Sequence, residues 1–171
     1  MSSQISLLRR DITKVKADAI VNAANQTLLG GGGVDGAIHR AAGPELLETC
    51  RTLQGCRTGE AKITPGFQLP ASYVIHTVGP IWRHGRHGEQ DLLEQCYIHC
   101  LELALEHNLE SIAFPNISTG VYAFPKALAA ETAINAVQQF LSEGKAVIRV
   151  IFVAFDQENF TLYSSILEQY F

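Results

Sequence analysis

Short apolar runs alternate along the chain with longer segments in which apolar residues recur at helical spacing. The runs are rich in β-branched and aromatic residues, and they predict strands at 5–8, 19–22, 61–64, 73–78, 111–114 and 147–155. Helices are predicted to begin near Val34, Pro44, Glu89, Pro125 and Gln157. An alternation of this kind is typical of a layered α/β fold.

The segment after Pro125 has the clearest amphipathic pattern. Its apolar positions lie three or four residues apart and would form one buried face: Ala130, Ala133, Ile134, Val137, Phe140 and Leu141. Pro125 suits the first turn of that helix, where a missing N–H group costs nothing, and Asp156 is a candidate N-cap for the last helix. Because no repeat, low-complexity tract or linker interrupts the pattern, residues 1–171 are predicted to form a single domain.

Composition and charge narrow the class of protein. With 171 residues, of which 47% are hydrophobic and 18% charged, the chain can bury a core without disulfides or metal ions. A net charge of −4 and the lack of a basic tail give no strong indication of nucleic-acid binding, and the one basic stretch, 83–88, is interpreted as a solvated loop. No apolar run approaches the ~20 residues of a membrane span. The sequence starts without a leader pattern, which predicts a cytoplasmic protein.

Four cysteines, Cys50, Cys56, Cys96 and Cys100, need an interpretation. In a reducing compartment they would stay unpaired. Cys96 and Cys100 belong to an apolar stripe at helical spacing, which favours buried packing over a metal or redox role. His99 lies off that stripe, and a zinc site would need a further ligand that the sequence does not identify. The prediction is buried thiols, with no metal and no cofactor.

The most unusual segment is a run of four glycines, 30–33, between a predicted strand and a predicted helix. Glycines let a ligand approach the backbone closely, and the N-terminus of the following helix offers unpaired N–H groups and a partial positive charge to an anion. The glycine spacing fits neither the nucleoside-triphosphate loop nor the dinucleotide fingerprint. A flexible linker is the alternative, but Asn22, Asn25 and Asp35 around the glycines favour a ligand-binding loop.

A second loop, 114–125, also leads from a predicted strand through small residues into a helix. Ser118, Thr119 and the amides of Gly120 and Val121 could surround a phosphate, although an ordinary turn can have the same composition. Two such loops indicate two phosphates or one bridging diphosphate. Neutral donors dominate both loops and no lysine is within reach in sequence, which favours binding over phosphoryl transfer.

These segments closely resemble the macrodomain family, in its MacroD branch. The resemblance rests on residues 22–43, on the loop at 117–125 and on Asp11, Ile12 and Thr13, and it extends over nearly the whole chain. It implies a three-layer α/β/α fold with a mixed central sheet and a cleft at the strand ends that binds ADP-ribose. It also implies a protein similar to bacterial O-acetyl-ADP-ribose deacetylases.

At the adenine end, the resemblance implies that Asp11 accepts a hydrogen bond from the adenine amino group, with the Ile12 amide beside it. Phe155 would stack on adenine, although a residue that ends an apolar strand could equally be core. From the residues alone, Asp11 could simply cap a turn. Arg10 and Ala123 stand where the family usually has glycine, which would alter the first turn and stiffen the second loop.

At the ribose and diphosphate, the resemblance implies a larger set of contacts. The residues that would contact ADP-ribose there are Asn22, Asn25, Gly32, Gly33, Val34, Asp35, Ser118, Thr119, Gly120, Val121, Tyr122 and Phe124. Asn22 and Asn25 match asparagines near the distal ribose, and Tyr122 and Phe124 would form aromatic walls. His39 lies one helical turn after Asp35 and is either part of the site or a satisfied interior histidine.

The chemistry of these side chains favours an enzyme. Asn25 can hold a ribose hydroxyl or a water but cannot act as a base, whereas Asp35 can accept a proton. With Asn25, Asp35 and His39 as catalytic residues, we expect an ester hydrolase that deacetylates O-acetyl-ADP-ribose and removes mono-ADP-ribose from acidic side chains of proteins. The alternatives are a reader that binds ADP-ribose without turnover and a regulatory protein partner, since some bacterial relatives are linked to control of a ribonuclease.

Overall fold

Six strands form one sheet in the computed structural model, which describes residues 4–144 and 147–170. The strands are β1 (Ile5–Arg9), β2 (Ala19–Ala23), β3 (Ala61–Pro65), β4 (Tyr73–Thr77), β5 (Ser111–Phe114) and β6 (Arg149–Ala154). Their spatial order is β1-β6-β5-β2-β4-β3, and every neighbouring pair is parallel except β3 and β4. The six predicted strands and the mixed sheet are confirmed.

Within the described residues, five α-helices and one short 3-10 helix, Ile12–Lys14, complete the fold. The α-helices are α1 (Gly33–Ala42), α2 (Pro44–Arg51), α3 (Glu89–Glu106), α4 (Lys126–Ser142) and α5 (Gln157–Tyr170). One apolar core contains buried residues of α3, α4 and α5, and a second core contains buried residues of α1 and α2. Two cores against one sheet give the three-layer arrangement that the resemblance implied.

The helix boundaries follow the predicted signals closely. Pro125 is the N-cap of α4 rather than a residue of its first turn, while the predicted apolar stripe of α4 lies in the core. Asp156 caps the start of α5 as predicted, because its Oδ1 accepts a hydrogen bond from the Asn159 amide at 2.8 Å. These caps fix where α4 and α5 begin at one edge of the sheet.

The four cysteines are free and buried, which confirms the packing interpretation. Burial raises the pKa of Cys50 and of Cys96 to about 11, so these thiols stay protonated at neutral pH. Among residues 4–144 and 147–170, no group of three or more histidine, cysteine or acidic side chains is arranged to hold a metal ion. No helix in the described part of the chain is both long and apolar enough to cross a membrane.

The basic stretch 83–88 is exposed, as expected, but it is organised by a carboxylate that the sequence did not single out. Glu89 is 2% exposed and accepts hydrogen bonds from the backbone amides of Arg83 at 2.7 Å, Gly85 at 2.9 Å and His87 at 2.6 Å. Burial alone would raise the pKa of Glu89, but the amide donors outweigh it and lower the pKa to about 2. The loop therefore folds around an ionised side chain.

Candidate active site

A cleft of about 660 Å³ opens at the carboxyl ends of β2, β5 and β6. This is the edge at which ligands bind in parallel α/β sheets. The predicted ligand-binding residues that line it are Asn25, Gly32, Gly33, Val34, Asp35, Ser118, Thr119, Gly120, Val121 and Tyr122. The volume lies within the range of roughly 300–1,000 Å³ that is common for small-molecule sites.

The amide of Asn25 shapes the glycine loop. Its Oδ1 accepts hydrogen bonds from the Thr27 hydroxyl at 2.6 Å and from the amides of Thr27 and Leu28 at 3.2 Å. Its Nδ2 donates one hydrogen to the Gly30 carbonyl at 2.9 Å. An amide nitrogen carries two hydrogens, so one hydrogen remains for a group in the cleft.

Asp35, in the first turn of α1, is 5% exposed and has its two carboxylate oxygens in different surroundings. Oδ1 accepts a hydrogen bond from Asn22 Nδ2 at 2.9 Å and lies 3.4 Å from His39 Nε2. Oδ2 faces the glycine loop: a Cβ built at Gly31 would lie 3.3 Å from Asp35 Oδ2 and 3.5 Å from Asn25 Nδ2. A carboxylate oxygen and an amide donor therefore both lie within 4 Å of the position that a Gly31 Cβ would occupy, in the wall of the cleft.

Asn22 and His39 lie behind this wall rather than in it. Asn22 is fully buried on β2, beneath Asp35. The His39 ring lies beside Gly30, 3.8 Å from where a Cβ of that residue would be, and lines a separate, shallow groove on the other side of the loop. Both side chains therefore contact Asp35, and neither is among the residues that line the cleft.

The second loop packs closely against Gly79, two residues after the end of β4. Ser118 adopts a φ of +67°, and its hydroxyl is buried without a hydrogen-bond partner among the described residues. A Cβ at Gly79 would lie 2.1 Å from that hydroxyl, so only glycine fits there. Gly79 could not be predicted from the sequence, because a single glycine after a strand carries no distinctive pattern.

The two aromatic residues of the second loop have different environments. Tyr122 lines the cleft, and its carbonyl accepts a hydrogen bond from the Trp82 amide at 2.9 Å. Phe124 was expected to form a wall, but it is 1% exposed and its ring lies 4.8 Å from the Trp82 ring, in the core. The two rings face different surroundings because Ala123, which lies between them, has a φ of +60° and turns the chain there.

The structure also corrects the expectation that no lysine is within reach of the loops. Lys126, the first residue of α4, lines the cleft, and its ammonium pairs with Glu158 of α5. The N-termini of α1 and α4 both border the cleft and contribute partial positive charges there, whereas Glu158 offsets the charge of the lysine. This end of the sheet favours an anion.

Asp11 and Phe155, the side chains expected at adenine, follow the ends of β1 and β6, which are neighbours in the sheet. The pairing extends to the residues before them, since the Arg10 amide donates a hydrogen bond to the Ala154 carbonyl at 3.0 Å. Phe155 is 78% exposed and is therefore not a core residue. Arg10 has no positive φ, so its turn does not require glycine.

Asp11 caps the 3-10 helix, in which the Ile12 side chain is buried. Its Oδ1 accepts hydrogen bonds from the Thr13 hydroxyl at 2.7 Å and from the Thr13 amide at 3.0 Å. The hydroxyl bond is the main reason why the pKa of Asp11 lies below its ordinary value. The carboxylate is therefore ionised at neutral pH and can act only as an acceptor.

The fold and the cleft define an α/β protein with an anion-binding site between two loops at the carboxyl edge of its sheet. The chain belongs to the macrodomain family, since the family model described as Macro domain matches residues 21–133.

Relatives and solved structures agree with this assignment. A macro domain-containing protein of Chlorobaculum tepidum is 56% identical over 163 residues, covering 95% of each chain. A Citrobacter rodentium protein named O-acetyl-ADP-ribose deacetylase is 54% identical over 173 residues, covering 99% of this chain and 98% of its own. A glycine-to-valine mutant of the Oceanobacillus iheyensis macrodomain, solved with ADPR, superposes with a TM-score of 0.92 at 46% identity, covering 96% of this chain and 91% of its own. A Trypanosoma brucei macrodomain in complex with ADP-ribose has a TM-score of 0.90 at 47% identity, with 96% and 69% covered.

Proposed function

We propose that this chain is an ester hydrolase acting on derivatives of ADP-ribose: it deacetylates O-acetyl-ADP-ribose and removes mono-ADP-ribose from acidic side chains of proteins. The observation that carries the proposal is that Asp35 Oδ2 and Asn25 Nδ2 both lie beside Gly31, in the wall of the cleft. Full-length relatives that bear the name O-acetyl-ADP-ribose deacetylase support the choice of substrate.

The cleft suits the diphosphate and the distal ribose of ADP-ribose, and adenine would lie beyond its lining residues. The diphosphate lies between the glycine loop and residues 118–122, where two helix N-termini and Lys126 favour negative charge. The distal ribose lies beside Asn25 and Asp35, and adenine lies at Asp11 and Phe155. From β1 to β2 there are three strand spacings of ~4.8 Å, or about 14 Å, which a ligand with a ribose at each end of a diphosphate can span.

In the proposed reaction a water attacks the ester carbonyl carbon, and the bond from that carbon to the ribose oxygen breaks. Asp35 Oδ2 accepts a hydrogen bond from the water and directs it, while Asn25 Nδ2 donates to the ribose. A phosphate oxygen of the bound substrate helps to take the proton from the water. The ribose oxygen leaves as a hydroxyl, and the products are ADP-ribose and acetate, or a free carboxylate on the protein.

The test is mass spectrometry after incubation of the purified protein in ¹⁸O-labelled water with O-acetyl-ADP-ribose and, separately, with a protein ADP-ribosylated on glutamate. We expect ADP-ribose as a product of both reactions, with the heavy oxygen in the released acetate in the first and in the freed glutamate carboxylate in the second. The Asp35→Ala variant is the control for a contaminating esterase. Micromolar binding of ADP-ribose with no turnover of either ester would contradict the proposal and favour a reader.

A further inference from the structure

A chain of buried polar side chains runs from the proposed reacting carboxylate into the sheet. Asn22 on β2 and His76 on β4 are register partners, and both are fully buried. Asn22 Nδ2 lies 2.9 Å from Asp35 Oδ1 and 3.2 Å from His76 Nδ1. On its other side, His76 Nε2 lies 3.0 Å from the Thr64 hydroxyl of β3. The proposed reaction assigns no role to His76.

The hydrogen-bonding capacity of each group fixes the direction of the chain. The Asp35 carboxylate oxygen Oδ1 is an acceptor, so the Asn22 amide presents its nitrogen to it. The two hydrogens of that nitrogen then go to Asp35 Oδ1 and to His76 Nδ1, which must be an acceptor. A neutral imidazole with an accepting Nδ1 carries its proton on Nε2, where the Thr64 hydroxyl is the acceptor. Burial lowers the pKa of His76 to about 3, which keeps the ring neutral at neutral pH.

Without the acceptor at His76 Nδ1, the Asn22 amide would lose the hydrogen bond that fixes its orientation. An amide can rotate by half a turn with little change in shape. The rotated amide would place its oxygen against the Asp35 carboxylate, and the two acceptors would repel each other. Asp35 would then turn to find other donors, and Oδ2 would lose its position beside Gly31 and Asn25.

We infer that His76 is a positioning residue for ester hydrolysis: its Nδ1 orients the Asn22 amide, which holds Asp35 Oδ1 and leaves Oδ2 facing the cleft. This inference rests on the proposed role of Asp35. His76 touches no substrate in this arrangement, so its effect is on turnover through Asp35 and is small on ADP-ribose binding.

Two substitutions of His76 separate this role from simple packing. In His76→Asn the side-chain oxygen can take the place of Nδ1 and accept from Asn22, whereas in His76→Gln the amide reaches the place of Nε2, near Thr64. Both variants bury one neutral amide, so they should change the free energy of unfolding by similar amounts. Cys50→Ala is the matched control, because Cys50 Sγ lies 3.8 Å from His76 Nε2 and its removal leaves the Nδ1 acceptor in place.

The measurement is kcat and KM for O-acetyl-ADP-ribose, with the Kd of ADP-ribose from calorimetry. We expect kcat of His76→Gln to lie about tenfold or more below that of His76→Asn, as for other residues that orient a reacting group. The Kd of ADP-ribose should stay within about threefold of wild type in both variants. Cys50→Ala should keep wild-type kcat. Adding His76→Gln to Asp35→Ala should lower kcat no further, because both changes act on one carboxylate.

Each outcome decides between the two claims. If Asp35→Ala loses turnover but His76→Asn and His76→Gln hydrolyse the ester equally well, the inference fails and the proposed function stands. Parallel losses of kcat and ADP-ribose affinity in both variants would make His76 a packing residue. A wild-type protein without turnover would overturn both claims, whereas a fully active Asp35→Ala variant would overturn the inference and remove Asp35 from the proposed mechanism. If neither variant folds, ¹⁵N spectra of the wild-type histidines still test the assignment, because a protonated Nδ1 on His76 would contradict it.

Discussion

Two side chains that we propose contact ADP-ribose, Asn25 and Asp11, also stabilise the fold around them, so their removal would affect binding and stability together. Asn25 has one N–H available to the cleft, while its other N–H donates to Gly30 and its oxygen accepts from Thr27 and Leu28. Asp11 similarly uses Oδ1 to cap a helix while it faces the expected adenine site. A variant of either residue needs a partner variant that disturbs only the fold.

The first prediction concerns adenine. Asp11→Ala should weaken ADP-ribose binding by ~1.5–3 kcal/mol, the usual worth of a hydrogen bond to a charged group, and should reduce the preference for adenosine over inosine nucleotides. Thr13→Val is the control, because it removes the hydroxyl bond to Asp11 and keeps the carboxylate. Calorimetry with both nucleotides decides: an Asp11→Ala variant that still discriminates between them would remove Asp11 from adenine recognition.

The second prediction separates turnover from binding. Asp35→Ala should lower single-turnover ester hydrolysis on the order of 100-fold, while the Kd of ADP-ribose changes much less, because Asp35 acts mainly in the transition state. Gly120→Val should do the reverse: a Cβ at Gly120 meets no protein atom within 4 Å, so the valine fills space that the diphosphate needs. Asn25→Ala should lower turnover and also weaken ADP-ribose binding, and its effect on turnover should not add to that of Asp35→Ala. Equal losses of turnover and affinity in Asp35→Ala would oppose a catalytic role.

At the scale of whole elements, the second loop carries backbone strain at Ala123, where φ is +60°. For an L-residue this conformation costs about 1–2 kcal/mol, while glycine there costs roughly 0.5–1 kcal/mol of extra chain entropy. The third prediction is that Ala123→Gly raises the free energy of unfolding by about 0.5–1 kcal/mol, the difference between the two. Ala127→Gly, in the first turn of α4, should lower the free energy of unfolding instead. Urea titrations measure both, and a destabilised Ala123→Gly variant would mean that the loop holds this conformation without strain.

The fourth prediction concerns the loop 83–88, which is built around Glu89. The pKa of that carboxyl is about 2 in the folded protein and 4.5 ordinarily. Its contribution to stability is therefore complete above pH 4.5 and is lost as the pH falls toward 2. Across that window, the free energy of unfolding of Glu89→Gln should fall less steeply than that of wild type. Glu102→Gln, an exposed change on the same helix, should keep the wild-type slope. Identical slopes in all three proteins would refute the account.

The order of elements could be predicted from sequence because strand and helix periodicities are local signals, and each run of residues carries its own. The path of the second loop could not be predicted from the sequence in the same way. Tyr122 and Phe124 are both aromatic and two positions apart, and only the positive φ of Ala123 sends one to the cleft and the other to the core. Lys126 was missed for a related reason: the side of a helix N-terminus that faces the ligand depends on how the helix packs. The pairing of Asn22 with His76 depends on strand register across 54 residues.

For the whole molecule, the fifth prediction is thermal stabilisation by the ligand. ADP-ribose should bind in the micromolar range, about −8 kcal/mol, and ADP more weakly because it lacks the distal ribose. At a ligand concentration of about 100 times Kd, stabilisation is ~2.7 kcal/mol, which corresponds to a Tm rise of about 5–10 °C for a chain of this size. Gly120→Val should show little of this rise. Equal shifts with ADP and ADP-ribose in the wild-type protein would argue against a distal-ribose site.

The order of the strands has a consequence for synthesis of the protein. β1 is made first, yet within the sheet its partner is β6, and Ile5 pairs with Val150. During translation β1 therefore leaves the ribosome long before the strand that covers its hydrogen-bonding edge exists. An unpaired strand edge is a site of aggregation, and contacts this distant in sequence form slowly. The nascent chain would thus be most vulnerable between the emergence of β1 and the release of β6, when a chaperone that holds extended apolar segments would raise the yield of folded protein.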